Sequence, residues 1–380
     1  MTDEYDVAVV GAGPAGVAAA LAARRVGARV LLLDRADFPR DKACGDGIAA
    51  HALDVLAGLG VTDAVDGYAP LPRLRLVGPN GGAVARPLPR PAYTVPRKVF
   101  DARLVAAAVA AGAELRRHAV RRVEARDGWV VLDGDIAARA VVGADGAGSV
   151  VRRALGHPPN PDRHLALAVR GYAPARPGPP EQLIVTSAPR WPAYAWSFPI
   201  GDGRANVGYG EVLRGEPLTR AHLLDRLAAL LPGTDPAAVT ALRAHHLPLS
   251  THRPPPGRGR LVLAGDALSL INPFTGEGIF YALLSGALAG AAAAGDPGAA
   301  ARRYAAALRR RLGTHLRHSS TAARLARRRW VVDGAVRAAR RDERVFGTVV
   351  ELGLGDGRLD ARTLAMIGIG LSARDGPPRD

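Results

Sequence analysis

An apolar run, Val7 to Val10, ends in Gly11-x-Gly13-x-x-Gly16 and passes straight into a stretch of small residues. Gly11 permits a tight bend, Gly13 lets a phosphate approach the backbone, and Gly16 lets a helix pack close on its strand. Pro14 and Ala15, inside the turn, belong to the same cradle, and the N-terminal amides of the helix (Ala15 to Val26) would face phosphate charge. A second strand, Arg29 to Leu33, leads to Asp34 and Arg35, where an acid can accept hydrogen bonds from a ribose diol. This is the opening of a Rossmann-type α/β domain.

The same grammar returns near the other end. A buried strand, Leu261 to Ala264, runs into Gly265-Asp266, and Pro273 with Gly276-Glu277-Gly278 and Ile279 begins another helix. Asp266 could hold a ribityl hydroxyl or the ribose-phosphate linkage. The helix end near Glu277 would put positive dipole beside a ring that gains negative charge on reduction. A third loop, Gly143 to Ser149 with Asp145-Gly146 at its centre, can brace the pyrophosphate or position a nicotinamide donor. The first turn alone does not separate NAD from FAD. Two such turns so far apart suit a longer cofactor, and FAD is expected; no metal is.

Between the turns, residues 70–93 and 156–257 alternate apolar and polar side chains and carry Gly and Pro turns, as antiparallel strands do. The expected organisation is therefore a discontinuous FAD-binding domain (1–69, 94–155 and 258–300) and an inserted antiparallel substrate domain (70–93 and 156–257). A helical C-terminal region (301–380) follows.

Charge invites another reading. The chain carries a formal +16, and its basic residues are nearly all Arg, since only Lys42 and Lys98 are lysines. They are widely spread and aromatics make up only 5%, so there is little to stack on bases and nucleic-acid binding is not expected. The dense run from Arg324 to Arg341 is a solvated helix face or a surface for anionic lipid. The N-terminus lacks the features of a secretory signal, and no apolar run is long enough to span a bilayer. With Cys44 the one cysteine, a reducing cytoplasm is the expected setting, peripheral contact with the inner face of the membrane included.

Two segments are more specific: Phe38-Pro39-Arg40-x-Lys42-x-Cys44-Gly45-Asp46-Gly47, and Tyr194-x-Trp196-x-Phe198-Pro199 followed by Asn206-Val207-Gly208. With the three turns, they make the chain resemble the geranylgeranyl reductase family of FAD-dependent oxidoreductases. That family shares its fold with para-hydroxybenzoate hydroxylase. The resemblance implies reduction of isolated carbon–carbon double bonds in polyprenyl chains: a geranylgeranyl lipid, a menaquinone tail or a prenylated intermediate. It also implies that Cys44 lies by the flavin ring, where it assists protonation or positions the alkene. The departures are Asp34 where the family often has Glu, and a short tail after Gly353 that leaves the far end of a tunnel open or differently closed.

The residues themselves fit that reading and also plainer ones. Cys44, in a glycine-rich loop, is a proton donor or a small buried residue. Tyr194, Trp196 and Phe198 fall at spacing two, hence on one face of a strand, as an apolar tunnel wall or as core. Arg97 reaches the flavin phosphates or sits at the surface. Lys42 and Gly45 go with the cofactor, and Gly47 and Pro273 with the substrate. An alkene needs a hydride and a proton, so Cys44, Tyr194 and a bound water are the candidate donors. There is no second full Gly-x-Gly-x-x-Gly pattern, so NAD(P)H or another external donor would visit only transiently. A monooxygenase acting on an aromatic substrate, a halogenase, and a non-catalytic flavin- or lipid-binding protein are the rival readings, since this scaffold hosts many chemistries. Oligomeric state is not encoded legibly.

Overall fold

A computed structural model describes residues 3–372. The chain opens with strand β1 (Asp3–Val10), helix α1 (Pro14–Arg24) and strand β2 (Val30–Asp34). Then follow β3 (Gly47–Ile48), α2 (Ala50–Gly58), β4 (Leu71–Val77), β5 (Ala83–Thr94), α3 (Arg97–Ala110) and β6 (Glu114–Arg117). A hairpin, β7 (Val123–Arg126) and β8 (Trp129–Leu132), precedes β9 (Ile136–Gly143) and α4 (Val150–Ala154). The middle of the chain gives β10 (Leu165–Pro174), β11 (Glu181–Thr186), β12 (Ala193–Pro199), β13 (Arg204–Val212), α5 (Arg220–Leu230) and β14 (Thr240–Pro248). After β15 (Gly257–Arg258) and β16 (Leu261–Leu263) the chain is helical: α6 (Ile279–Gly295), α7 (Ala300–Leu325), α8 (Arg329–Arg341), α9 (Glu343–Leu354) and α10 (Ala361–Ser372).

The first sheet has the order β15-β16-β9-β1-β2-β6, with β8 also paired to β9. β16, β9, β1, β2 and β6 run parallel, and β2 is buried along its whole length because helices cover both faces. Register decides what happens next. Val10 lies opposite both Leu33 and Gly143, and Gly143 opposite Leu263. Four strands therefore end in line, and the loops at Gly11, Asp34, Ala144 and Gly265 leave from one edge, where ligands bind in open α/β sheets. Helix α1 lies against α6 almost backbone to backbone. A Cβ on Gly286 or Gly290 would sit 2.0 Å from the carbonyl oxygen of Ala15 or Ala19.

The second sheet has the order β14-β10-β13-β12-β11-β4-β5-β3. It is antiparallel except where β11 runs parallel to β4. Gly47–Ile48, assigned from the sequence to the nucleotide layer, adds instead to the end of this sheet by pairing with Thr94 and Tyr93. Helix α5 packs apolar side chains on one part of the sheet, around Val169, Val207 and Tyr209, while α8 and α9 cover Leu74, Val84 and Ile184 on another. The α/β class, the inserted sheet and the helical C-terminal region are thus all present. No helix among the described residues is long and apolar enough to cross a membrane.

Candidate active site

The strand-end edge of the first sheet and one face of the second enclose a cleft with about 1530 Å³ of free space, part of it open to solvent. Most of the residues expected from the sequence line it: Gly13, Pro14, Ala15, Lys42, Cys44, Gly45, Gly47, Arg97, Gly146, Tyr194, Trp196, Phe198, Asp266, Gly276, Glu277, Gly278 and Ile279. Others do not. Gly11 and Gly16 lie behind the wall and set its spacing, since a Cβ on Gly16 would be 1.7 Å from the Gly11 oxygen and one on Gly11 2.4 Å from the Ala144 oxygen. Gly265 likewise sits against Ala15 and Ala282. Arg35 is exposed and off the cleft, and so is the half-buried Pro273, which the sequence reading had placed at the substrate.

At the nucleotide end the residues fit a dinucleotide. Helix α1 starts at Pro14 with no side chain capping it and no acid in its first turn, so its positive end is uncompensated. Asp34 is buried, and Oδ2 accepts the Ala12 N–H at 2.9 Å while Oδ1 accepts that of Ala36. Arg40 bridges two acids, 3.8 Å from Asp34 and 3.2 Å from Asp101. Asp145 caps α4 by accepting the Val150 N–H at 2.6 Å; its Oδ1 is a buried acceptor without a partner, and burial raises its pKa.

Arg97 corrects an expectation. Its guanidinium does not stand free for phosphate, because Nε and Nη2 grip Asp101 at 2.6 and 2.7 Å. The pair is buried on α3, and burial, which works against the Arg97 charge, is outweighed by Asp101. The residue faces the cysteine loop.

That loop is tied down from several sides. Asn206 Nδ2 donates to the Cys44 carbonyl at 2.9 Å and to Asp46 Oδ2 at 2.7 Å, and the Tyr172 hydroxyl donates to the same carboxylate oxygen at 2.6 Å. The Arg97 N–H reaches Asp46 Oδ1 at 3.3 Å. Asp46 is fully buried at φ +60°, and burial pushes its carboxyl up to about 6 in spite of these donors. Cys44 itself is half-buried on the cleft wall. Burial raises the thiol above its ordinary value, outweighing the pull of Arg97, so the sulfur keeps its proton at neutral pH.

The aromatic wall is tied to its neighbours by hydrogen bonds. The Tyr194 hydroxyl donates a hydrogen bond to the Thr275 carbonyl at 2.5 Å, and burial raises its pKa. Trp196 is buried, and its Nε1 donates to Asn206 Oδ1 at 2.8 Å, which joins the wall to the cysteine loop. A Cβ on Gly45 would lie 3.3 Å from Trp196, and one on Gly47 3.4 Å from Phe198, so the loop packs flat on these rings.

Two acids flank the later turn. Asp266 sits 3.7 Å from Lys42 Nζ and 3.8 Å from His245 Nε2. Burial alone would raise its carboxyl, but Lys42, with His245 behind it, holds it at about 2. Glu277 changes the expected picture of the α6 N-terminus. Its Oε1 accepts the Phe280 N–H at 2.8 Å, so part of the helix end is capped from within, and burial pushes this carboxyl up to about 7.

At the far end the cleft is apolar: Leu74, Leu76 and Ala92 from β4 and β5, Ile184 from β11, and Val349, Val350 and Leu354 from α9, with Gln182 as a polar exception. Helix α9 was not foreseen as a wall. It is held by a buried network in which Asn272 Nδ2 donates to the Leu352 carbonyl, Thr275 Oγ1 to that of Gly353, and the Tyr281 hydroxyl to that of Gly355. The same elements that carry the Glu277 turn thus hold the apolar part of the cleft wall. Tyr172 and His245 also went unread, because nothing local in the sequence ties them to residues so distant, and Arg40 was read only as part of the cysteine-loop motif, without a role.

Comparison with known proteins agrees with this geometry. Residues 4–284 match the model of the FAD binding domain family. The chain is 35% identical over 321 residues to a menaquinone reductase of Mycolicibacterium smegmatis, covering 76% of each chain. It is 36% identical over 307 residues to digeranylgeranylglycerophospholipid reductase 1 of Methanopyrus kandleri, covering 76% of this chain and 80% of that one. In structure it resembles a geranylgeranyl bacteriochlorophyll reductase-like protein of Thermoplasma acidophilum, with TM-score 0.79 and 21% identity over 97% of this chain and 96% of the other. A flavin-dependent brominase also superposes, at TM-score 0.72 and 19% identity over 97% of this chain and 98% of the other, which speaks to the shared fold alone. The chain belongs to the geranylgeranyl reductase family of FAD-dependent oxidoreductases.

Proposed function

We propose that this protein reduces isolated carbon–carbon double bonds of an isoprenoid chain. The observation that carries the reading is the cleft itself, which joins a dinucleotide cradle at Gly13 to Ala15 with an apolar tunnel ending at Leu74, Ile184 and Val350. Such a tunnel takes a long hydrocarbon and offers almost nothing to orient a polar aromatic ring. The reductases among its relatives support the same reading over a monooxygenase.

FAD, when bound and reduced, supplies the hydride. The uncapped end of α1 would take the pyrophosphate, Asp34 the adenosine ribose, and Asp266 with Lys42 the ribityl side of the ring. The Cys44 Sγ would hold the proton for the second alkene carbon, and the thiolate left behind faces Arg97. Trp196 and Phe198 would keep the alkene flat against the cysteine loop and exclude water. Electrons come from an external donor such as NAD(P)H or a reduced electron carrier, which visits and leaves. The substrate is a membrane-soluble isoprenoid, and the enzyme works at a membrane surface.

The test is anaerobic. The purified flavoprotein is reduced with dithionite and mixed with menaquinone or a geranylgeranyl lipid, and flavin absorbance and product mass are followed. Flavin reoxidation with a gain of two hydrogens per reduced bond is expected. Reoxidation only on admission of air, with oxygen added to an aromatic candidate, would replace this reading with the monooxygenase one.

A further inference from the structure

The arginine run ends in a corner. At the junction of α7 and α8, Arg324, Leu325, Arg327, Arg328, Arg329 and Trp330 are all exposed, with Leu325 at 51% and Trp330 at 47%. No Asp or Glu occurs in the sequence between Asp296 and Asp333. Some exposed arginines elsewhere are matched by acids, as in Arg90 with Asp54, Arg117 with Asp37 and Arg204 with Asp202. Among the described residues the four corner arginines pair with no carboxylate, and Arg328 lies over the Trp330 ring at 5.8 Å. The corner is fixed to the site. Trp191 Nε1 donates to the Ala326 carbonyl at 2.5 Å, just ahead of the strand that carries Tyr194, Trp196 and Phe198.

We propose that this corner seats the protein on an anionic bilayer. Unpaired guanidinium groups would meet lipid phosphates, and Trp330 with Leu325 would enter the headgroup layer, where an indole is well placed with one edge wet and the rest apolar. Charge complementarity and two bulky apolar side chains at one solvent-facing junction favour a fluid lipid surface over a shaped protein partner. The inference rests on the isoprenoid reading, which requires a substrate drawn from a membrane.

Holoprotein is mixed with vesicles of phosphatidylcholine alone, or of equal parts phosphatidylcholine and phosphatidylglycerol, and then floated on a density gradient. Wild type should float with the anionic vesicles and its tryptophan emission should shift to the blue; Trp330→Phe should lose that shift. Reversing Arg327, Arg328 and Arg329 to Glu should weaken binding at least about a hundredfold, since the loss of each basic residue alone costs about 1 kcal/mol. Intact flavin absorbance would certify the fold of the variants. Floating of the triple variant like wild type, or of wild type with neither vesicle, would overturn the proposal. So would capture by RNA or by an acidic electron carrier at the same arginines in place of vesicles. A short prenyl alcohol dispersed in detergent separates the two readings. Turnover of it without vesicle binding sinks only the surface, and vesicle binding without turnover of any prenyl alkene sinks only the isoprenoid reading.

Discussion

At Cys44 the chemistry turns on which group holds a proton where the alkene would lie. The Tyr194 hydroxyl is hydrogen-bonded to the Thr275 carbonyl, whereas the Cys44 thiol is raised by burial and open to the cleft. Its thiolate would not be stranded, because Arg97 faces it and is itself fixed by Asp101. Cys44→Ala is expected to keep flavin bound, as read from its absorbance. Reduction of the alkene should fall by roughly 10²-fold or more, the usual worth of a positioned acid. A second readout is independent of turnover. Alkylation of wild-type Cys44 by iodoacetamide should be slow at neutral pH and accelerate only well into the alkaline range. Rapid alkylation at neutral pH, or an alanine variant as active as wild type, would remove Cys44 from the role.

Helix α6 shows how an element imports an acid into the site. Glu277 caps it, and burial raises that carboxyl from an ordinary 4.5 to about 7, partly opposed by the amides of Phe280 and Ile279 and by the charges of His51 and Arg97. An acid whose folded pKa is raised penalises its charged form. The contribution of Glu277 to stability is therefore greatest below about pH 4.5, falls as pH rises from there to about 7, and is flat above. Glu277→Gln keeps an acceptor for the cap and removes the titration. Thermal melts of the two proteins should coincide near the acid limit of that window, diverge across it and differ by a constant amount above neutral pH, where the variant should melt a few degrees higher. Equal melting temperatures at high pH would show that Glu277 stays charged in the fold without cost. Local elements of this kind were legible. The turns at Gly11 and Gly265 follow from glycine spacing, and the face shared by Tyr194, Trp196 and Phe198 follows from strand period. What sequence did not disclose was what each side chain meets across a gap. Arg97 was read toward phosphate although Asp101 stands one helical turn away, a spacing that signals a pair. The cap by Glu277 was likewise hidden behind its neighbouring glycines.

The whole molecule adds a property that neither sheet has alone, namely the apolar part of the cleft. The apolar wall is assembled from β4, β5, β11 and α9, parts of the chain so far apart in sequence that no local pattern joins them. Helix α9, which precedes the short tail after Gly353, supplies part of the wall, and its C-terminal turn is pinned by Asn272, Thr275 and Tyr281. If this end limits how deep a hydrocarbon can enter, the side chains on α9 set the accepted length. Val350 is buried between Leu74 and Ile184 of the sheet and the remaining α9 residues. Half-buried Val349 lines the same end and has more room to grow. Val349→Phe should lower kcat/KM for a long polyprenyl substrate by about tenfold while leaving a short prenyl alcohol almost untouched, a difference of about 1.4 kcal/mol that one added ring can impose. Val349→Ala should move the optimum toward longer chains. Mass mapping of which double bonds are saturated then reads depth directly. An unchanged pattern across both variants would mean that the chain enters from another side, and that α9 is packing alone.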